Sequence, residues 1–198
     1  MTRSKTLSDE QLLAASARVL ARLGPARFTL ADVAAEAGLS PATLLQRFGS
    51  KRGLLRAFAK LAAAGAGEPF ERARETKSSP LAALELALVS ATKNLKSRQE
   101  VANSLAMLLD DLTDEDMHAA AVAHARATEH GIRELLNAAV KAGELPKLDT
   151  TELALSVQAA HNGAIIQWAL RDSGKFQPFL ARVLAPLLSP HTTKRRKR

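Results

Sequence analysis

The sequence predicts an all-α protein in two parts, a short basic head and a longer helical body. Three observations carry that expectation. Among 198 residues there are 39 Ala and 32 Leu against 8 Val and 3 Ile, so helix formers abound and the β-branched residues that favour strands are scarce. Apolar residues recur at helical spacing behind Ser, Thr and Pro caps along most of the chain. Charge is uneven: residues 1–60 carry a net +6, residues 61–188 a net −3 and residues 189–198 a net +5, which make up the overall +8. A basic head on a slightly acidic body suggests a polyanion-binding module; composition alone leaves a plain solvated basic surface equally open.

The elements follow in order. Ser8-Asp9-Glu10-Gln11 reads as a capping box, and Leu12, Leu13, Val19, Leu20 and Leu23 continue a first helix that Gly24-Pro25 should stop. Thr29 caps a second helix with Asp32 in its first turn and an inner stripe of Leu30, Val33, Ala34 and Ala37; Gly38 ends it. Ser40 caps a third, with Pro41 at the first helical position, where the missing N–H costs nothing. Leu44 and Phe48 should face inward, and Gly49 terminates it. Ser50 caps a fourth, with Leu54, Leu55, Phe58 and Leu61 on one face, and Gly65 and Gly67 mark the domain boundary. Longer helices are expected from about Pro80 to Lys96, from Arg98 to about Leu112, from a cap at Thr113 and Asp116 to Gly143, from Thr150 or Thr151 to near Gly174, and from Pro178 to Leu188. The division expected is 1–49 head, 50–64 connecting helix, 65–189 regulatory and dimerisation domain, and 190–198 a disordered basic tail.

Several function classes are excluded early. The chain has no cysteine, so disulfides, thiolate metal ligands and thiol nucleophiles are out. No apolar run approaches the 18 or so residues of a membrane span, and the first residues lack a signal peptide's apolar segment, so a cytoplasmic protein is expected. His118, His124 and His130 are six residues apart. Six residues rotate a helix by about 240°, so they share no face. Asp114 with His118, and His130 with Glu134, have metal-pair spacing but read as solvated i,i+4 pairs. No phosphate loop or nucleophile elbow appears, so no enzyme, no metal site and no cofactor are expected.

The informative stretch is residues 29–48. A helix of about eight residues, a tight turn at Gly38 and a second short helix from Ser40 form a helix-turn-helix, whose second helix lies in the DNA major groove. With Leu44 and Phe48 inward, Pro41, Ala42, Thr43, Gln46 and Arg47 point mostly outward beside the capping Ser40. Gln and Arg suit adenine and guanine edges, and Thr or Ala a thymine methyl. Lys51 at the next helix start and the hydroxyl of Thr29 can hold phosphates. Read blandly, Gln46 and Arg47 are ordinary surface residues.

The run FTLADVAAEAGLSPATLLQRFGSKRGLLRAF resembles the N-terminal signature of the tetracycline-repressor (TetR) family of bacterial regulators. The matching elements are Thr29, the Ala37-Gly38-Leu39-Ser40 turn, Thr43-Leu44, Phe48, Ser50-Lys51 and Leu54, over about residues 8–60. The resemblance implies an all-helical homodimer with a three-helix DNA-binding domain and a C-terminal ligand-binding and dimerisation domain. It also implies a repressor that a small molecule releases from a palindromic operator, with Thr29, Pro41, Ala42, Thr43, Arg47 and Lys51 facing DNA. One departure stands out. Leu45 occupies the family's usual Tyr position and cannot donate to a phosphate; it either touches a thymine methyl or packs.

In the body, polar residues interrupt apolar faces, and a small-molecule site is placed at Asn103, Met107, His124, Thr128, His161 and Trp168, each of which has an alternative reading as a hydrogen-bonded core or interface position. Gly163 sits mid-helix, where it costs about 1 kcal/mol relative to Ala unless another helix approaches closely. The last helix is apolar on more than one face. A dimer interface is therefore expected at Gly163, Ile166, Leu170, Phe179, Leu180, Val183, Leu184 and Leu187, pairing two helices with their copies across a two-fold axis. The terminal Lys194-Arg195-Arg196-Lys197-Arg198 run could add DNA affinity, bind a partner or act as a solubilising tail, of which the last is favoured. The leading reading is a ligand-responsive repressor; the alternative is an architectural or weakly specific DNA-binding protein without a ligand.

Overall fold

The head helices form where their caps place them. This computed structural model describes residues 7–171 and 174–189, which contain ten helices. In α1 (Asp9–Arg27) the capping box closes at both ends: Gln11 N–H donates to Ser8 Oγ at 3.2 Å and Ser8 N–H to Gln11 Oε1 at 3.0 Å. The expected stop at Gly24 is a break with φ +73°, after which Pro25–Arg27 add one last turn closed by Phe28 N–H on the Gly24 carbonyl at 3.1 Å. Thr29 and Asp32 cap α2 (Leu30–Ala37) reciprocally. Gly38 takes the left-handed conformation (φ +68°, ψ 36°), and the N–H groups of Gly38 and Leu39 return to Ala35 and Ala34, a Schellman ending that only a residue without Cβ makes without strain. Ser40 then caps α3 (Pro41–Phe48), and Ser50 Oγ accepts the Gly53 N–H at the start of α4 (Lys51–Ala64).

The described chain forms two compact units. The first joins the residues up to Ala64 to Gln99–Ala123. Leu12, Val19, Phe28, Val33, Leu44 and Leu54 are its fully buried core, and Met117 packs into the same cluster. The unit is discontinuous in sequence because α7 (Arg98–Thr113) and the start of α8 (Glu115–Lys141) bury side chains with the head. Of the α7 stripe read from the sequence, Val101 is buried, whereas Leu105, Leu108, Leu109 and Leu112 are exposed.

Gly65–Arg98 and the residues from His124 onward form the second unit. Its core includes Phe70, Leu84, Leu88, Ile132, Leu135, Leu136, Leu145, Val157 and Leu180. It contains a helix that periodicity did not reveal, α5 (Glu68–Thr76), whose polar sequence offers only Phe70 and Ala73 to the core. Gly131 lies against Phe70 so closely that a Cβ would sit 2.5 Å from the ring. Helix α6 (Pro80–Ala91) ends before the expected Lys96, where Thr92 turns its hydroxyl back onto the Val89 carbonyl at 2.8 Å. The cap of α8 is Asp114 rather than Thr113 or Asp116: its Oδ1 accepts the N–H groups of Asp116 (3.1 Å) and Met117 (3.2 Å). Helices α9 (Thr150–Arg171) and α10 (Phe176–Leu188) complete the unit; α10 starts two residues before Pro178, at a helix start where the missing N–H is harmless. No described helix is long and apolar enough to cross a membrane. The basic tail lies outside the described residues.

Candidate nucleic-acid interface

Helix α3 owes its orientation to Leu44, with Phe48 leaning partly buried on the same core. Leu44 is fully buried, so the helix is pinned on that side while Pro41, Ala42, Leu45, Gln46 and Arg47 stand on the exposed side. Thr43 is half-buried, with its hydroxyl 3.0 Å from Ser40 Oγ, so both hydroxyls are engaged in the cap. Leu45 is 52 % exposed and does not pack, which removes one of its two alternatives.

The charged residues of this surface are not free. Arg47 Nη1 donates to the Leu7 carbonyl at 2.6 Å and to Asp9 Oδ1 at 3.2 Å, closing a contact across the head from the far end of α3. Lys51 Nζ donates to the Pro25 carbonyl at 2.7 Å. The Thr29 hydroxyl donates to Asp32 Oδ2 at 2.5 Å while accepting the Asp32 N–H. The unengaged readers are therefore Pro41, Ala42, Leu45 and Gln46. The cationic groups retain donor capacity, since an ammonium has three N–H bonds and a guanidinium five.

Behind this face α4 carries a second cluster. Arg52 and Arg56 both pair with Asp114, and Arg56 Nη1 also meets Asp116 at 2.9 Å. Burial pushes the Asp114 carboxyl up, but the Met117 N–H and the two guanidinium groups outweigh it and hold the group below its ordinary value. One carboxylate thus caps α8 and ties it to α4. The sequence offered Asp114 only as a solvated partner of His118, and the cap reading fell on its neighbours; the carboxylate is instead buried at the cap.

The six residues proposed for a small molecule are divided between the two units. Asn103 and Met107 belong to the first unit, where Asn103 donates to the Ala21 carbonyl at 2.7 Å and Met107 packs beside the head core. His124 is exposed and Thr128 half-buried. His161 and Trp168 share Phe176 as an edge-on neighbour; His161 Nε2 bonds the Leu88 carbonyl at 3.1 Å, and Trp168 Nε1 the Gly174 carbonyl at 2.7 Å. Burial holds the His161 imidazole below its ordinary pKa, which keeps it neutral with its proton on Nε2. Open clefts of the second unit include one of about 290 Å³ between Leu81, Glu85, Ala181 and Leu188 and one of about 440 Å³ among Arg74, Glu134, Asn137, Lys141, Leu148 and Thr150. None of the six residues lines either cleft.

The expected dimer residues divide. Phe179, Leu180 and Leu184 are buried in their own unit's core and are withdrawn from the interface: the surplus apolar surface of α10 is spent within the chain. Val183 and Leu187 lean on that core partly buried. Ile166 (38 %) and Leu170 (73 %) remain exposed, and nothing lies within 4 Å of where a Gly163 Cβ would be.

This geometry defines the class: an all-helical protein with an N-terminal helix-turn-helix head whose second helix presents one face. Residues 12–58, which span the helix-turn-helix, match the family model described as bacterial regulatory proteins, tetR family. A search of curated proteins finds no match. Among solved structures, the chain has the fold of a TetR transcription regulator from Haloarcula marismortui (17 % identity, 93 % of this chain and 98 % of that one covered, TM-score 0.76). It is similarly close to a transcriptional regulator from Saccharomonospora viridis in complex with choline (20 % identity, 94 % and 98 %, TM-score 0.75). The transcriptional regulator FadR from Bacillus subtilis, in complex with stearoyl-CoA, shares the fold at 17 % identity (92 % and 98 %, TM-score 0.67).

Proposed function

We propose that this protein is a homodimeric, sequence-specific DNA-binding regulator that represses at a palindromic operator and is released by a small molecule. The observation that carries the DNA half is the pinned helix α3, which exposes Pro41, Ala42, Leu45 and Gln46 while Leu44 is wholly buried. Gln46 reads an adenine edge and Leu45 contacts a thymine methyl. Ser40, Thr29 and Lys51 flank them at helix starts, where N–H groups favour phosphate. The dimer rests on Gly163, Ile166 and Leu170 of α9, joined by Val183 and Leu187 of α10, and two-fold symmetry sets two heads one helical turn of DNA apart.

The ligand half is supported by relatives of this fold seen with choline and with stearoyl-CoA. Release follows as a shift between two head spacings. Helix α8 runs from the Asp114 cap into the second unit, so a ligand that displaces α8 pulls α4 through Arg52 and Arg56. A randomised duplex pool, incubated with the protein near physiological salt and sequenced after retention, tests the DNA reading. An enriched palindrome supports it, and retention without enrichment favours an architectural protein instead. The enriched duplex then serves as the probe for ligands that cause release.

A further inference from the structure

Helix α7 packs by one face and leaves the other bare. On the packed face Asn103 is buried and Met107 lies beside the head core. On the bare face Leu105 (37 %), Leu108 (45 %), Leu109 (65 %) and Leu112 (58 %) are exposed. Their spacing of i, i+3, i+4 and i+7 lines them up as a single stripe two turns long. Single exposed leucines are ordinary, but four in one row form a patch that asks for a partner. Because α7 belongs to the first unit, the stripe is carried by the unit that presents α3.

The chemistry around the stripe selects the occupant. From Val101 to Leu109 there is no charged residue, and at helical spacing Ala102, Ser104 and Ala106 border the leucines. A partner recognised by charge finds nothing to pair with along this stretch. A helix that lies on a membrane surface needs Lys or Arg beside its apolar face, whereas this one ends in Asp110 and Asp111. A second copy meets an identical stripe, and the spacing is its own complement. Turned antiparallel about the midpoint between Leu108 and Leu109, the row sets Leu105 opposite Leu112 of the second copy and Leu108 opposite its Leu109. Size sets the strength. Together the four expose about as much surface as two whole leucine side chains, on the order of 300 Å². A standard interface takes roughly 800 Å² from each partner. The stripe is too small to hold free copies together, but it suffices to tie copies that DNA has already brought side by side.

We propose that the α7 leucine stripe is the contact between neighbouring copies bound along DNA, and that it makes their binding cooperative. It is a different surface from the α9 residues assigned to the dimer, so it joins one dimer to the next. This rests on the DNA-binding reading above.

The test compares the intact protein with L109E on duplexes carrying one selected site or two, the two set at a series of spacings. The intact protein should fill the second site on the order of tenfold more tightly than the first, at spacings that recur with the DNA turn of about 10.5 bp. L109E should bind a single site as the intact protein does and lose that gain. L109K should lose it too, and an equimolar mixture of L109E and L109K should recover part of it, because only a direct contact between copies brings the two charges together. Independent filling by the intact protein at every spacing overturns the proposal, as does a gain that survives in L109E. Leu109 is the most exposed of the four, so little packing is lost with it; L109S, which adds no charge, decides the matter if a charged variant folds poorly. If the intact protein selects no sequence, the operator reading fails, and a long duplex of arbitrary sequence then decides the contact: clustered filling that L109E abolishes supports it, and random filling overturns it.

Discussion

At the scale of single residues, the most informative contact in the first unit is the one between Gly24 and Asn103. Asn103 is 8 % exposed; its amide donates to the Ala21 carbonyl at 2.7 Å and its Oδ1 accepts from Gln99 at 3.0 Å. A Cβ on Gly24 would meet that Oδ1 at 2.6 Å, on top of the positive φ. Gly24→Ala should cost about 1–3 kcal/mol in urea unfolding, and part of that cost should vanish in an Asn103→Ala background, because only the clash is shared between the two sites. Equal costs in both backgrounds would mean backbone strain alone. Asp111 makes an opposite case. One of its oxygens is buried without a partner, and burial, with Asp110 and Asp114 nearby, raises its pKa to about 6. The folded state then holds a proton that the unfolded chain gives up near its ordinary value of 3.8, so stability falls as pH rises from about 4 to 6. Asp111→Asn should raise stability at pH 7 by about 1–2 kcal/mol after solvent screening, and by almost nothing at pH 4. Denaturation midpoints at the two pH values check it.

At the scale of elements, caps decide where helices begin and tertiary contacts decide which caps matter. Ser8, Thr29 and Ser40 each accept a first-turn N–H, and such caps are worth about 1 kcal/mol apiece. Asp114 is different in kind because its second oxygen faces Arg52 and Arg56. Its carboxyl is held below the ordinary value, so the stability it contributes is present above the unfolded pKa and is lost as pH falls through the lower folded one. Asp114→Ala should lower the urea midpoint at pH 7, and the deficit should shrink in strong acid. It should also weaken ligand-driven release more than DNA binding, since it severs α8 from α4. Equal losses in both would assign Asp114 to stability alone.

At the scale of the whole molecule, the proposed dimer would join two copies through the exposed residues of α9, an apolar surface distinct from the exposed leucines of α7. Leu170 is 73 % exposed and Ile166 38 %, beside a Gly163 that leaves room for a neighbouring helix. Leu170→Glu should shift sedimentation toward the monomer and weaken binding to a full palindrome by at least tenfold, leaving half-site binding unchanged. A dimer that persists moves the interface elsewhere. The head could be read from sequence because its signals are local: a cap, a stripe, a left-handed glycine and a stop lie within a few residues of one another. Helix α5 was not legible, because two apolar residues make no stripe, and the six residues placed at a small-molecule site fall in both units, because periodicity names a helix face without naming what packs on it. The residues themselves thus determined the head helices, the turn at Gly38 and the buried Leu44 that orients α3. Only the tertiary structure decided that Arg47 faces Leu7, that Asn103 seats on Gly24 and that Phe179, Leu180 and Leu184 stay inside their own chain. These are encounters between residues far apart in sequence, and no local spacing encodes them.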